Sequence, residues 1–255
     1  MKFQDFKVCK LSALNCAIEV LDQSMGSKEC KVLNCLNPHS FVVAKSDSLF
    51  ESALKHSTWL IPDGIGIVLA DRFFLGSLRE RLTGPDLFES MMNELSHRKG
   101  SVVFFGSSNN NLQKIASAMS SSYPGVKVLD LISPPFVNEL SENQNKEAVN
   151  RINRLSPDVL WVGMTAPKQE KWIQRNRKSL NVGVAAGVGA VFDFASGNVS
   201  RAPLLIRKIG LEWLYRFFSN PRRLAVRTFR SAPLFVFYVV IERLRAFRLK
   251  NHLNK

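Results

Sequence analysis

Short runs of β-branched and aromatic residues alternate with segments of helical length along most of the chain, and this alternation restricts the fold more than any other feature. The clearest runs are SVVFFGSS (101–108), VKVLDLI (126–132), DVLWVGM (158–164) and VGVAAGVGAVF (182–192). Bounded by turn residues, they read as buried parallel strands. NLQKIASAMSS, NKEAVNRINRL and PKQEKWIQRNRK lie between them as helices, and upstream KVLNCLNP, a helix near 40–56, TWLIPDG and a helix near 65–75 repeat the pattern. Strand and helix alternating at this spacing predict an α/β fold with a doubly wound parallel sheet. With 255 residues, 45% of them apolar, a sizeable core is available.

Ligands of such sheets bind outside the carboxyl ends of the strands. The first positions to inspect are therefore Asn37 after KVLNCL, Asp63 and Gly64 after TWLIP, Gly106 to Ser108 after VVFF, and Thr165 to Gln169 after VLWVGM. Gly183, Gly187 and Gly189 form a fifth, where missing side chains let a ligand approach the backbone.

After residue 200 the pattern changes. Residues 201–255 hold thirteen Lys and Arg against Glu212 and Glu242, a net +11 of the chain's +14. Pro203 can open a helix in which Leu205, Ile209, Trp213 and Phe217 recur every four residues, and Asn220-Pro221 is a cap-plus-first-turn signal for a short basic one. Pro233 starts a third, with Phe237, Ile241, Leu244 and Phe247 as its stripe. The expected organisation is a body over 1–200 and a basic helical appendage over 201–255.

Several chemistries lack their residues. There is no D-x-D pair, no GxSxG, no Walker A and no HExxH, and the four histidines are dispersed, so no metal ligand set and no cofactor are expected. The glycine run GVAAGVG is not the dinucleotide fingerprint and comes late in the chain. Cys9, Cys16, Cys30 and Cys35 match neither a zinc ribbon nor a CxxC motif, and the N-terminus has no apolar signal region, so a cytosolic protein with reduced thiols is expected. The longest late apolar run, Ala232 to Ile241, is about half of the ~20 residues that cross a bilayer.

IPDGIGIVLA (61–70), RLTGPDL (81–87), APKQEKW (166–172), GVGAVFDFASGNVSRAP (187–203) and GLEWLYRFFSNPRRLAVR (210–227) occur in the order and spacing of the WecG/TagA/CpsF glycosyltransferase family, which the chain resembles from about residue 31 to 228. The resemblance implies a Rossmann-like body and an appendage that completes the site and touches the membrane. It also implies metal-independent, inverting transfer of an N-acetylhexosamine or its uronic acid from a UDP-sugar to a polyprenyl-diphosphate-linked sugar.

Carried over, Asp63 in PDG matches the proposed general base, which takes the proton of the attacking hydroxyl; its rival role is to cap the following helix. Arg81 resembles the substrate-contacting arginine of RLTG, within which Gly84 also falls, against a solvated helix-end charge. Asn37 matches the asparagine of the family's first strand-end motif, and Gly64 follows the base. Gln169 resembles the substrate-binding glutamine of PKQE. Glu170 either shares that work or stabilises its helix as a first-turn acid. Gly187 and Gly189 fit close approach to the nucleotide or tight strand-to-helix packing, and Asp193 reads as structural. Arg216, Arg222, Arg223 and Arg227 match basic appendage positions that can neutralise a leaving diphosphate, or else face anionic headgroups.

Two positions depart from the family pattern: Cys35 stands where a threonine is usual, and Thr165 where glycine is usual. They lend weight to an inactive, membrane-associated scaffold as the alternative. Binding to nucleic acid is disfavoured, because the basic residues interleave with Phe, Leu and Val at helical spacing. Such helices suit an anionic membrane surface at the inner face of the cell membrane. Their apolar stripes leave homo-oligomerisation open.

Overall fold

A computed structural model of the chain describes residues 1–76, 82–208, 210–219 and 227–253, without the side chains of 75, 204, 208, 216, 219, 227, 228 and 247–253. Six strands form one sheet: β1 (Lys31–Leu36), β2 (Trp59–Pro62), β3 (Ser101–Gly106), β4 (Lys127–Ile132), β5 (Val159–Gly163) and β6 (Val184–Gly187). All neighbours run parallel, in the order β2-β1-β6-β5-β3-β4. The fold is thus α/β and doubly wound, as the alternation predicts.

Helices cover both faces. On one lie α1 (Ala13–Ser24), α5 (Gly84–Arg98), α6 (Asn109–Ser122) and α9 (Gly189–Ala195), packed around Leu33, Phe104, Trp161 and Phe192. On the other, α7 (Glu142–Leu155) and α8 (Lys168–Asn176) pack Ile152, Trp172 and Ile173 against Val103, Phe105 and Val162. β5 is therefore buried at every position, as a central parallel strand covered on both sides must be. Short polar side chains start the helices: Ser12, Asn37, Asp47, Thr83, Ser108 and Ser141 each accept a hydrogen bond from a first-turn N–H.

Four details differ from the sequence expectations. The helix near 40–56 is two, α2 (Pro38–Ala44) and α3 (Ser48–Lys55), because Asp47 caps a new start. The run 182–192 stops being a strand at Gly187, and its remainder opens α9, since alternating Gly, Ala and Val carries no helix-or-strand period. β4 is an edge strand with Lys127 and Leu129 exposed and only Ile132 fully buried, rather than a buried strand. The stripe from Leu205 to Phe217 is divided into α10 (Leu204–Lys208) and α11 (Glu212–Ser219), with Gly210 between them at φ +78. The basic helix expected at Asn220-Pro221 begins outside the described residues.

A third apolar cluster joins the two ends of the chain. Phe3 and Phe6, Phe41 of α2, Phe50 of α3 and Phe74 of α4 (Ile65–Leu75) enclose Phe235 and Val239 of α12 (Ala232–Leu253). Burying those last two side chains contributes about 1.5–3 kcal/mol each. Glu242 of α12 accepts from the Phe3 N–H (2.6 Å) and from Lys45 Nζ (2.9 Å), and that ammonium lies 4.7 Å from the Tyr238 ring centre. A turn of π-helix, Arg227–Ser231, precedes α12, and Ser231 Oγ is 2.8 Å from His39 Nδ1. The opposite face of α12 is open: Phe237 and Leu244 are 56% and 55% exposed.

Candidate active site

The chain leaves β3 toward β4 and leaves β5 toward β6, in opposite directions across the sheet. The following helices α6 and α8 accordingly sit on opposite faces. This is a topological switch point, where open α/β sheets form a crevice at the strand ends. A cleft of about 1330 Å³ opens there. Its walls are Ser107 to Asn109 after β3, Ser133 to Leu140 after β4, Gly163 to Thr165, Pro167 and Lys168 after β5, and Asp193 of α9. Asp193, which the sequence reading took as structural, thus faces a cavity.

Hydrogen bonds tie the cleft walls together. Ser107 takes a left-handed conformation, φ +64; its Oγ accepts from Asn111 Nδ2 (2.8 Å) and its carbonyl from Ser133 Oγ (2.7 Å). Phe136 stands at the rim, fully exposed, with Lys168 Nζ 5.7 Å from its ring centre. Thr165 is also left-handed, φ +65. A β-branched residue is a steric outlier in that region, which is why glycine is the easier occupant.

A second group gathers at the ends of β1 and β2. The Asp63 N–H donates to the Leu36 carbonyl (2.8 Å), and its Oδ1 accepts from the Gly84 N–H that opens α5 (3.4 Å). Gly64, not Asp63, occupies the N-cap position of α4, and no side chain caps that helix there. The Cys35 thiol is close by: burial, then the Asp63 and Glu170 carboxylates, push its pKa well above the ordinary thiol value. It stays protonated at neutral pH, a weak donor where threonine would be a strong one. Asn37 has a structural task, since its Oδ1 caps α2 by accepting from the Ser40 N–H (2.9 Å).

Gln169 joins the two groups. It is 4% exposed and Glu170 2%. Its Nε2 donates to Glu170 Oε1 (2.9 Å), and its Oε1 accepts from the Gly189 N–H (3.0 Å). The fit leaves no room: a Cβ at Gly189 would lie 2.6 Å from Gln169 Oε1, and one at Gly187 2.5 Å from Asn34 Oδ1. Close packing, the rival role for these glycines, is therefore present. The Asp63 carboxylate thus follows β2, while the cleft opens at the ends of β3 and β5.

The remaining sequence candidates divide. Arg81, Arg222 and Arg223 lie outside the described residues, while Arg216 on α11 and Arg227 before α12 are on helices whose side chains at those positions are not described. A further ionic group escaped the sequence reading. Arg201 contacts Asp86 and Glu89 of α5, with Glu212 of α11 nearby. Only the RAP motif hinted at it, and a motif does not say which carboxylates an arginine meets.

Compared with known proteins, residues 2–249 match the model of the glycosyl transferase WecG/TagA/CpsF family. A protein of Bacillus subtilis (strain 168) named N-acetylglucosaminyldiphosphoundecaprenol N-acetyl-beta-D-mannosaminyltransferase is 31% identical over 203 residues, 80% of this chain and 75% of that one. A protein of the same name from Bacillus spizizenii (strain W23) is 30% identical over 216 residues, 85% and 79% of the two chains. Another from Staphylococcus aureus (strain MW2) is 26% identical over 205 residues, 80% and 77%.

Proposed function

Because the chain belongs to the WecG/TagA/CpsF family of glycosyltransferases, we propose that it moves an N-acetylhexosamine from a UDP-sugar to the sugar of a polyprenyl diphosphate in wall-polymer synthesis, with inversion. The relatives' names favour N-acetylmannosamine as the sugar moved and N-acetylglucosaminyl-diphosphoundecaprenol as its acceptor. Thr165 in the cleft wall keeps the uronic acid in contention as donor.

The observation that carries this reading is the junction at Gln169. One side chain bonds to the strand-end loop of β6 and to the buried Glu170, and the N–H of the same residue donates to the carbonyl of Thr165 in the cleft wall. The cleft would take UDP, with hydroxyls and amides for its phosphates and uracil, and Phe136 as a flat apolar rim. Asp63 would accept the proton of the acceptor hydroxyl as its oxygen attacks the anomeric carbon from the side opposite UDP. The leaving group is a stabilised diphosphate and needs no acid. Arg216, Arg222, Arg223 and Arg227 would neutralise the charge that builds on it, with Arg81, Gly84, Asn37 and Gly64 around the sugars.

We further read 201–255 as an appendage that works at the cytoplasmic membrane face. Among the described residues no helix is long and apolar enough to cross a membrane. The open face of α12 carries Phe237, Val240 and Leu244 beside Arg243 and Arg245, which suits insertion among anionic headgroups. A second copy of the chain is the other occupant that face allows.

A panel of UDP-N-acetylhexosamines and UDP-uronic acids, assayed with a short-chain polyprenyl-diphosphate N-acetylglucosamine with and without EDTA, tests the proposal. Transfer that persists in EDTA is expected. No turnover with any donor would leave the scaffold reading in its place, and loss in EDTA would contradict the metal-free step.

A further inference from the structure

Arg201 lies in the coil between α9 and α10, where it bonds two carboxylates of α5 and faces a third on α11. One terminal nitrogen pairs with Asp86 Oδ1, the other donates to Glu89 Oε2 (3.3 Å), and Nε is 4.0 Å from Glu212 Oε1. Arg207 of α10 lies 4.0 Å from the same Asp86 oxygen. The group is not a surface ion pair: the Glu212 side chain is 6% exposed and that of Arg201 20%.

We propose that Arg201 is a positioning residue that sets α11, and through it Arg216, against the start of α5 beside Asp63. This rests on the reading of Arg216 as a cation for the leaving diphosphate. The connection runs through few bonds. Asp86, in the first turn of α5, also accepts from Thr83 Oγ1, and the next N–H, of Gly84, is the one Asp63 Oδ1 accepts. Glu212 opens α11, and Arg216 follows it by four residues, one turn along the same helix. The helix start that holds the base thus also holds the partner of the appendage.

Charge and geometry both call for arginine here. Three carboxylates crowd the site, and removing a cation from a buried network leaves charge uncompensated. A planar guanidinium can engage Asp86, Glu89 and Glu212 from different edges, whereas an ammonium is a point charge. The network is also one bond short. The Nε atoms of Arg201 and Arg207 are both buried without an acceptor, and the Arg201 Nε to Glu212 distance exceeds a hydrogen bond by about 1 Å. A small approach of α11 toward α5 would complete it.

The test uses the full chain carrying Arg201→Lys or Glu212→Gln. Steady-state transfer and hydrogen exchange of the 212–219 amides are the two readouts. We expect kcat to fall about 10- to 100-fold, the scale that a 1 Å misplacement produces. The donor KM should change little, protection over 212–219 should be lost, and protection over 84–98 should be kept. Unchanged kcat with unchanged exchange would overturn the proposal. So would a loss of protection spread over the whole body, which marks a merely structural role. If the unmodified chain transfers no sugar at all, the functional reading fails, and exchange alone then decides the clamp.

Discussion

The Gln169 carboxamide accepts the Gly189 N–H at 3.0 Å, and a Cβ added to that glycine would sit 2.6 Å from the same oxygen. Two segments that the sequence holds 20 residues apart are thereby locked side by side. Gly189→Ala should push the carboxamide off both Gly189 and Glu170. Overpacking of this kind costs about 1–3 kcal/mol, so thermal unfolding should move down by several degrees and the donor KM should rise. An alanine variant with unchanged melting and KM would show that the junction yields without consequence.

Asp63→Asn should remove most turnover while the fold persists. The amide keeps the shape of the carboxylate and can still accept from the Gly84 N–H, but it cannot take a proton. A positioned base contributes about 10²- to 10⁴-fold, and kcat should fall on that scale with donor binding retained. The Cys35 thiol supplies an independent reading, since the Asp63 charge helps to hold its pKa up. Keeping that thiol neutral favours the fold fully below the unfolded value of about 8.5, and the benefit is lost as pH rises. In the asparagine variant, iodoacetamide at pH 8 should therefore label Cys35 faster.

Thr165→Gly should raise stability. A left-handed L-residue costs roughly 1–2 kcal/mol, and the extra backbone freedom of glycine in the unfolded chain returns about 0.4–1 of it. The balance predicts a melting point higher by about 2 °C for a chain of this size. Lower stability would mean that the Thr165 hydroxyl, which donates to the Met164 carbonyl at 2.6 Å, outweighs the backbone term. The wider loop should also change the ranking of donor sugars.

The two faces of α12 should respond differently to substitution. Phe237→Ser with Leu244→Ser removes exposed apolar surface and should weaken binding to anionic vesicles with melting nearly unchanged. Phe235→Ala opens a cavity among Phe3, Phe41 and Phe74 and should cost about 3–5 kcal/mol. Vesicle sedimentation beside thermal melts separates the two. Vesicle binding that survives the double serine change would redirect the open face toward a second copy. Deleting residues 229–255 is a poor probe by comparison, because it also removes Glu242, the acceptor of the Phe3 N–H and of Lys45.

Periodicity and punctuation were enough to determine the doubly wound sheet, because a parallel strand covered on both faces must be apolar throughout, as VLWVG is. The strand ends likewise singled out Asp63, Gln169, Gly187 and Gly189 as positions to inspect, since ligands of such sheets meet the loops that follow strands. The basic excess after residue 200 was equally legible, as charge needs no fold to be counted. Local pattern was weakest where composition was ambiguous. Gly, Ala and Val fill both β6 and the start of α9, so the end of that strand depended on which residues its neighbours had to meet.

Strand order and long-range pairing were decided by tertiary structure alone. That β3 and β5 lie side by side and depart in opposite directions creates the cleft, and no window of sequence contains both strands. The same holds for Arg201, 115 residues from the Asp86 it contacts, and for Glu242, 239 residues from the Phe3 N–H it accepts. The charge excess says that a basic tail must find anions. Packing decided that one face of α12 turns inward to the first residues of the chain while the other is left open.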